Sequence, residues 1–277
     1  MKQRTAEESK AWWQTNVRPD TTVLYIAGDV SPEQGRKLAE QYFADWEPAG
    51  DAPKQEAPYL PVKTKTQIYL VDKPGSVQSE IRVGQVAIKR DDPDYPPSRV
   101  LTQIFGGSFD SRLNESLRVK KGLTYGASGW FSADRFAGTF NVSTFSKTPS
   151  TAEAVKGILE EIDKLKTDPV TEKELSTSKN FLIGSFAGQR ETPESIINDL
   201  WLIEYCGLPK DYFQASLKRI STTTDQDVKR VAAEHIDPNQ LVIVVVGDAK
   251  KIKDDLAKIA PLTEVKDVLA TTQPASK

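Results

Sequence analysis

The stretch LTQIFGGSFDSRLNESLRVKKGLTYGASGWF, residues 101–131, decides the fold. It pairs Gly106 with Gly107, then reads as a helix over Ser111–Lys121. Gly122 stops that helix, and a strand begins near Gly126. Arg118 falls in the last helical turn, and Tyr125 falls just past the glycine break. The break turns the chain back, so both side chains are expected on one concave surface. The same residues have plain structural explanations. A cation near a helix C-terminus is favoured by the helix dipole, and a tyrosine at a strand start fits ordinary strand propensity.

Upstream of this stretch, Gln67–Asp72 and Gln78–Ile88 read as the two strands of a hairpin turning at Lys73–Ser76. Pro96–Phe105 reads as a helix. Gly126–Phe131 and Thr139–Phe145 read as a second strand pair. Downstream the pattern is mostly helical. Ser150 and Glu153 are placed to cap a helix with the apolar stripe Val155, Ile158, Leu159, Ile162 and Leu165. Further helices open at Thr171 with Glu174, at Thr192-Pro193, near Pro209, and at Thr224 with Asp227. Leu241–Val246 is an apolar strand ending at Gly247-Asp248, and one more helix follows.

At the other end, Thr5 and Glu8 cap a helix carrying Trp12 and Trp13. Val23–Ala27 reads as a short strand stopped at Gly28-Asp29, and Ser31-Pro32 opens a helix running to about Trp46. Thr5, Pro19 and Gly28-Asp29 recur as Thr224, Pro238 and Gly247-Asp248, each 219 positions later. That offset marks an internal repeat. The expected organisation is therefore the tail of a preceding repeat unit (1–46), a proline-rich linker (47–65), a complete second unit (66–266) and a disordered tail (267–277). On this reading the rest of the first unit lies upstream, and the chain is a fragment of a longer two-unit protein.

The bulk properties exclude several functions. The 277 residues carry a net charge of −2, which favours neither nucleic acid nor an anionic membrane as partner. No apolar run reaches membrane-spanning length. Cys206 is the only cysteine, so no internal disulfide forms, and it reads as a small buried apolar group. His235 is the only histidine, and no His-x-x-Glu-His stretch exists, so three catalytic zinc ligands are not available. His235 reads as a helix-end residue. Asp91, Asp92 and Asp94 read as a solvated loop. Gly-x-Ser-x-Gly and phosphate-binding loops are absent from the sequence.

The ordered set Gly106-Gly107, Ser111-Arg112-Leu113, Arg118, Gly122-Leu123 and Tyr125 resembles the second-domain signature of the pitrilysin/insulinase-type inverted zinc metallopeptidases. Arg18-Pro19-Asp20 through Gly28-Asp29, Leu38–Trp46 and Val77-Gln78 extend the resemblance over nearly the whole chain. Val119 departs from it, since an acidic residue usually follows the arginine. The resemblance implies an α+β fold, helices packed on a mainly antiparallel sheet, as a metalloprotease-like repeat unit (LuxS/MPP-like). It implies the non-zinc half of a clamshell around a peptide chamber. Catalytic roles carry over to Arg118, which holds a substrate carbonyl, and Tyr125, whose hydroxyl meets the developing oxyanion. No metal or cofactor is expected in this chain; zinc is expected in a partner half, in the same protein or as a separate subunit. Peptides are the expected substrates, and the bacterial cell envelope is the expected compartment. The alternative is a proteolytically inactive scaffold or assembly subunit of the same fold.

Overall fold

A computed structural model describes residues 5–53, 57 and 65–265. The chain divides into two compact units: residues 1–59 with 187–205, and residues 60–186 with 206–277. The expected disordered tail and most of the proline-rich linker lie outside the described residues.

The larger unit is built on a six-stranded sheet. Its strands are β1 (Gln67–Asp72), β2 (Gln78–Ala87), β3 (Ala127–Ser132), β4 (Gly138–Lys147), β5 (Val242–Gly247) and β6 (Leu262–Val265), in the order β3-β4-β2-β5-β1-β6. The pairings β3–β4, β4–β2 and β2–β5 are antiparallel, whereas β1 runs parallel to both β5 and β6. The expected mainly antiparallel α+β fold is therefore present.

The strands expected for the first hairpin are both present, but they do not pair with each other. β5 lies between them, and the turn at 73–76 spans its end. Lys73 N donates to Gly247 O at 2.8 Å, Gly75 N donates to the Asp248 carboxylate at 3.2 Å, and Ala249 N donates to Asp72 at 3.0 Å. The physical reason is the apolar run of β5, Val-Ile-Val-Val-Val, which gains ladder bonds on both edges and shielding on both flanks from a central place. Its side chains alternate, with Ile243 and Val245 buried and Val242, Val244 and Val246 half-buried on the opposite face.

One face of the sheet carries the core. Helices α3 (Tyr95–Thr102), α5 (Thr151–Thr167), α9 (Asp225–His235) and α10 (Ala249–Ala257) pack there, over Ile68, Leu70, Ile81, Val83, Phe140 and Ile243. Val155, Ile158, Ile162 and Leu165 of α5 are buried as its periodicity requires, and Leu159 packs against their edge. The Ser150 cap is not made. A 3-10 turn at Thr148–Ser150 leads into α5 instead, and Thr148 N is satisfied by Val77 O at 3.0 Å. Thr171 and Glu174 do form a reciprocal box at the start of α6 (Glu172–Gly188). Helix α8 (Tyr212–Thr222) completes this unit.

The smaller unit contains α1 (Ala6–Asn16), α2 (Pro32–Phe43) and, as far as Tyr205, α7 (Pro193–Cys206). Helices α1 and α9 have the same length, and both start with a capping box, Thr5 with Glu8 and Thr224 with Asp227. The strand expected at Val23–Ala27 is not formed. A strand needs a neighbour for its N–H and C=O groups, and no such neighbour exists among the described residues. Val23, Leu24 and Ile26 are exposed, as are Trp12, Trp13 and Phe43. No residue of α1 or α7 is buried. Among the described residues of this unit Gly35 and Arg18 are buried, and Arg18 donates to Asp20, Ala49 O and Gly50 O.

Candidate functional site

The site segment begins where α3 widens into a π-helical turn at Gln103–Gly107. Gly106 is buried there against the backbone of Gly129 in β3, and a Cβ on Gly106 would overlap Gly129 N. This close approach, rather than a simple turn, is why glycine stands at 106. One helical turn, α4 (Arg112–Asn114), and a second π-helical turn at Glu115–Lys120 follow. Gly122 then takes φ of 61°, the left-handed conformation that ends a helix at low cost to glycine. Leu123 N reaches back to Leu117 O at 2.8 Å, and Leu123 is buried.

Two further residues hold the frame. Asn114 is buried; its amide donates to Ser108 O at 3.1 Å, and its carbonyl accepts from Ala127 N at 2.9 Å. It ties the 108–111 loop to the outer edge of β3. Arg112 clasps Glu174 through Nε at 2.6 Å and a terminal nitrogen at 2.9 Å, and also donates to Pro169 O. Burial works against the Glu174 carboxylate, but the Arg112 fork and the Thr171 N–H and hydroxyl outweigh it and hold its pKa at about 2. Sequence reading found Arg112 only as a motif letter and did not find Asn114. The Thr171–Glu174 box was the visible part of the Arg112 clasp.

This frame presents Arg118 and Tyr125. Arg118 stacks its guanidinium 4.0 Å from the ring centroid of Phe109, an exposed aromatic. Among the described residues that guanidinium makes no hydrogen bond or ion pair. Tyr125 is 77% exposed, with its ring 6.4 Å from that of Phe145. Its hydroxyl has no hydrogen-bond partner among the described residues. Thr124 and Thr144 fix the turn beneath it through hydrogen bonds to each other and to Gly126. Tyr125 lines a hollow of about 110 Å³, and Arg118 is not among that hollow's lining residues. The two groups are thus displayed from one braced segment, each with its own ring partner.

The aspartates before α3 are not a plain solvated loop. Asp94 is buried; both its oxygens accept from Arg230, at 2.5 and 2.6 Å, and one also meets His235 Nε2 at 3.0 Å. Asp92 accepts from Asp94 N at 2.8 Å. Hydrogen bonds from Arg230 hold the Asp94 carboxyl below its usual range, against the cost of burial. Asp92, Asp94 and His235 have the residue types of a metal site, and their ligand atoms lie within 4.8 Å of one another. The donor set does not fit a catalytic zinc, because Arg230 already occupies both Asp94 oxygens. It is an ion-pair network that locks α9 to α3. His235 ends α9, as its helix-end reading requires. Cys206 is half-buried, and burial pushes its thiol up, away from nucleophilic use.

The model of the peptidase M16 inactive domain matches residues 4–182. The chain belongs to the peptidase M16 inactive-domain family. The match takes in the whole Gly106–Tyr125 segment. Among curated relatives, the non-peptidase homolog YmxG of Helicobacter pylori is 29% identical over 83% of this chain and 53% of its own length. An uncharacterized zinc protease of Streptomyces coelicolor is 24% identical over 91% of this chain and 57% of its own length. The chain therefore spans little more than half the length of these relatives. A crystal structure of a peptidase M16 inactive domain from Pseudomonas fluorescens superposes with a TM-score of 0.78 at 26% identity, over 89% of this chain and 58% of that one. No described helix is long and apolar enough to cross a membrane.

Proposed function

We propose that this M16 inactive-domain chain is the substrate-holding half of a zinc metalloendopeptidase, supplying Arg118 and Tyr125 to an active site whose metal lies in another half. The observation that carries the reading is the chemical idleness of those two groups. Asn114, Arg112, Gly106 and Gly122 brace the segment, yet the Arg118 guanidinium and the Tyr125 hydroxyl have no polar partner within the described residues. Polar groups held on a braced frame with no protein partner are free to exchange water for a ligand. Tyr125 donates to the oxyanion that develops on the scissile carbonyl, and Arg118 fixes a neighbouring carbonyl of an extended peptide. Bond cleavage belongs to the zinc-bearing half, because this sequence has a single histidine and no His-x-x-Glu-His stretch.

The smaller unit supports a second half upstream in the same protein. At the 219-residue offset, Trp12, Trp13, Leu24 and Ile26 stand where Val231, Ala232, Ile243 and Val245 stand in the larger unit. The latter four are wholly buried, and the former four are exposed. A preceding unit with its own equivalents of β1 and β2 would flank residues 23–27 and cover them. A separate subunit of the same kind is the variant of this arrangement. The same reading keeps the bacterial cell envelope as the compartment, which cell fractionation tests.

Reconstitution with a zinc-bearing half carrying His-x-x-Glu-His tests the function. The chain alone cleaves no peptide, and the mixture does. Arg118→Gln then raises KM for extended peptides. A mixture that stays inactive while forming a stable complex favours the second reading, a scaffold subunit. The non-peptidase name carried by the H. pylori relative is what supports that alternative.

A further inference from the structure

The hollow beside Tyr125 has a chemistry that the Arg/Tyr reading does not use. Tyr125, Lys147, Gln78, Ser150, Phe145 and the backbone at Gly122 are among its walls, and among the described residues no aspartate or glutamate lines it. Lys147 ends β4 on the same face of the sheet as Phe145, by the two-residue pleat, and Gln78 stands opposite Lys147 in the β2–β4 register. The acid of β2 closest along that face, Glu80, is opposite Phe145 and pairs with Arg82 at 3.3 Å. Ser150 stands at the N-terminus of α5 but does not use its hydroxyl as a cap.

The hollow therefore gathers four donors: the Lys147 ammonium, the Tyr125 hydroxyl, the Gln78 amide and the Ser150 hydroxyl. None makes a side-chain hydrogen bond or ion pair among the described residues. A cation and three neutral donors line it together, and Ser150 leads into a 17-residue helix whose first-turn acid, Glu153, is not part of the lining. The ring of Phe145 gives one apolar wall. A volume of about 110 Å³ accommodates a carboxylate with one or two methylenes.

We propose that this hollow is a carboxylate subsite for the peptide substrate, with Lys147 as its specificity-determining residue. The proposal rests on the peptide-holding reading and narrows its substrates to peptides that place a carboxylate next to the bond facing Tyr125. The carboxylate comes from an acidic side chain or from the C-terminus of the peptide.

Equilibrium binding of extended peptides to the whole chain, followed by fluorescence anisotropy, separates these sources. Three peptides share one neutral sequence and an uncharged N-terminal fluorophore: one amidated, one amidated with a single Glu, one with a free C-terminus. The expected result is about three- to tenfold tighter binding of one carboxylated peptide over the neutral one, the scale of a partly solvated charge-assisted hydrogen bond. Which peptide gains identifies the source. Lys147→Gln erases that preference, Lys147→Arg keeps it, and circular dichroism shows that both variants remain folded. Equal affinity for all three peptides, or a preference that survives Lys147→Gln, overturns the subsite and leaves the peptide-holding reading standing. If no peptide binds, both fall.

Discussion

Arg112 and Glu174, 62 residues apart in sequence, meet through two hydrogen bonds of 2.6 and 2.9 Å. The contact fastens the segment that carries Arg118 to the first turn of α6. Because Arg112 also reaches Pro169 O, the guanidinium spans the loop that precedes α6 as well. The rigidity of the site segment comes from such bonds, placed behind the two groups it displays.

The clasp makes stability depend on acid. The Glu174 pKa falls from 4.5 to about 2 on folding, so the unfolded chain binds the proton more readily. This contribution is present in full above pH 4.5 and is lost as pH falls towards 2. Its size, after discounting for a partly solvated pair, is about 1–2 kcal/mol. Glu174→Gln should flatten the fall in urea-unfolding free energy between pH 5 and 3, relative to the unmodified chain. Superimposable pH profiles would show that the clasp contributes nothing.

Asn114 joins the loop at Ser108 to Ala127 N, and Asn114→Ala leaves that buried N–H unpaired. The expected loss is about 1–3 kcal/mol in urea unfolding. Asn114→Asp restores the acceptor but not the donor, and should fall between the two. Hydrogen exchange at Ala127 should rise in the alanine variant.

Gly106→Ala forces a Cβ into the backbone of Gly129. The helix end must move off β3, at a cost of about 1–3 kcal/mol. Gly107→Ala is crowded too, but mainly by Thr102 and the flexible Gln103, and should cost less. Thermal unfolding of the two variants checks the order.

Much of this was legible in the sequence. The strands β1 to β5 and the capped helices α1, α2, α6 and α9 follow from turn residues, capping boxes and apolar period. The pairing of β1 with β5 was not legible, because register between strands some 170 residues apart leaves no local mark. Strand β6 was missed because four residues of mixed polarity give too short a pattern. At the candidate site, the ordered motif is what puts Arg118 and Tyr125 forward. The bracing contacts of Asn114 and of Arg112 with Glu174 were not legible, since they act through partners that only the fold brings near. The strand expected at Val23–Ala27 shows the converse: its composition is right, but without neighbours it does not form one.

The smaller unit yields a prediction of its own. Trp12 and Trp13 are exposed on α1. If the proposed zinc-bearing half exists, joining the chain to it should bury them, lowering acrylamide quenching of tryptophan fluorescence and shifting emission to the blue. Replacing both with Phe should remove most of that change, while leaving the signal from Trp46, Trp130 and Trp201. Unchanged quenching on complex formation would place the contact elsewhere.

The most direct test of the peptide-holding reading is turnover by the reconstituted pair with Tyr125→Phe. Removing a donor to the developing oxyanion should lower kcat by about 100-fold or more with little change in KM. An unaltered kcat for the folded Tyr125→Phe pair would contradict the role assigned to Tyr125.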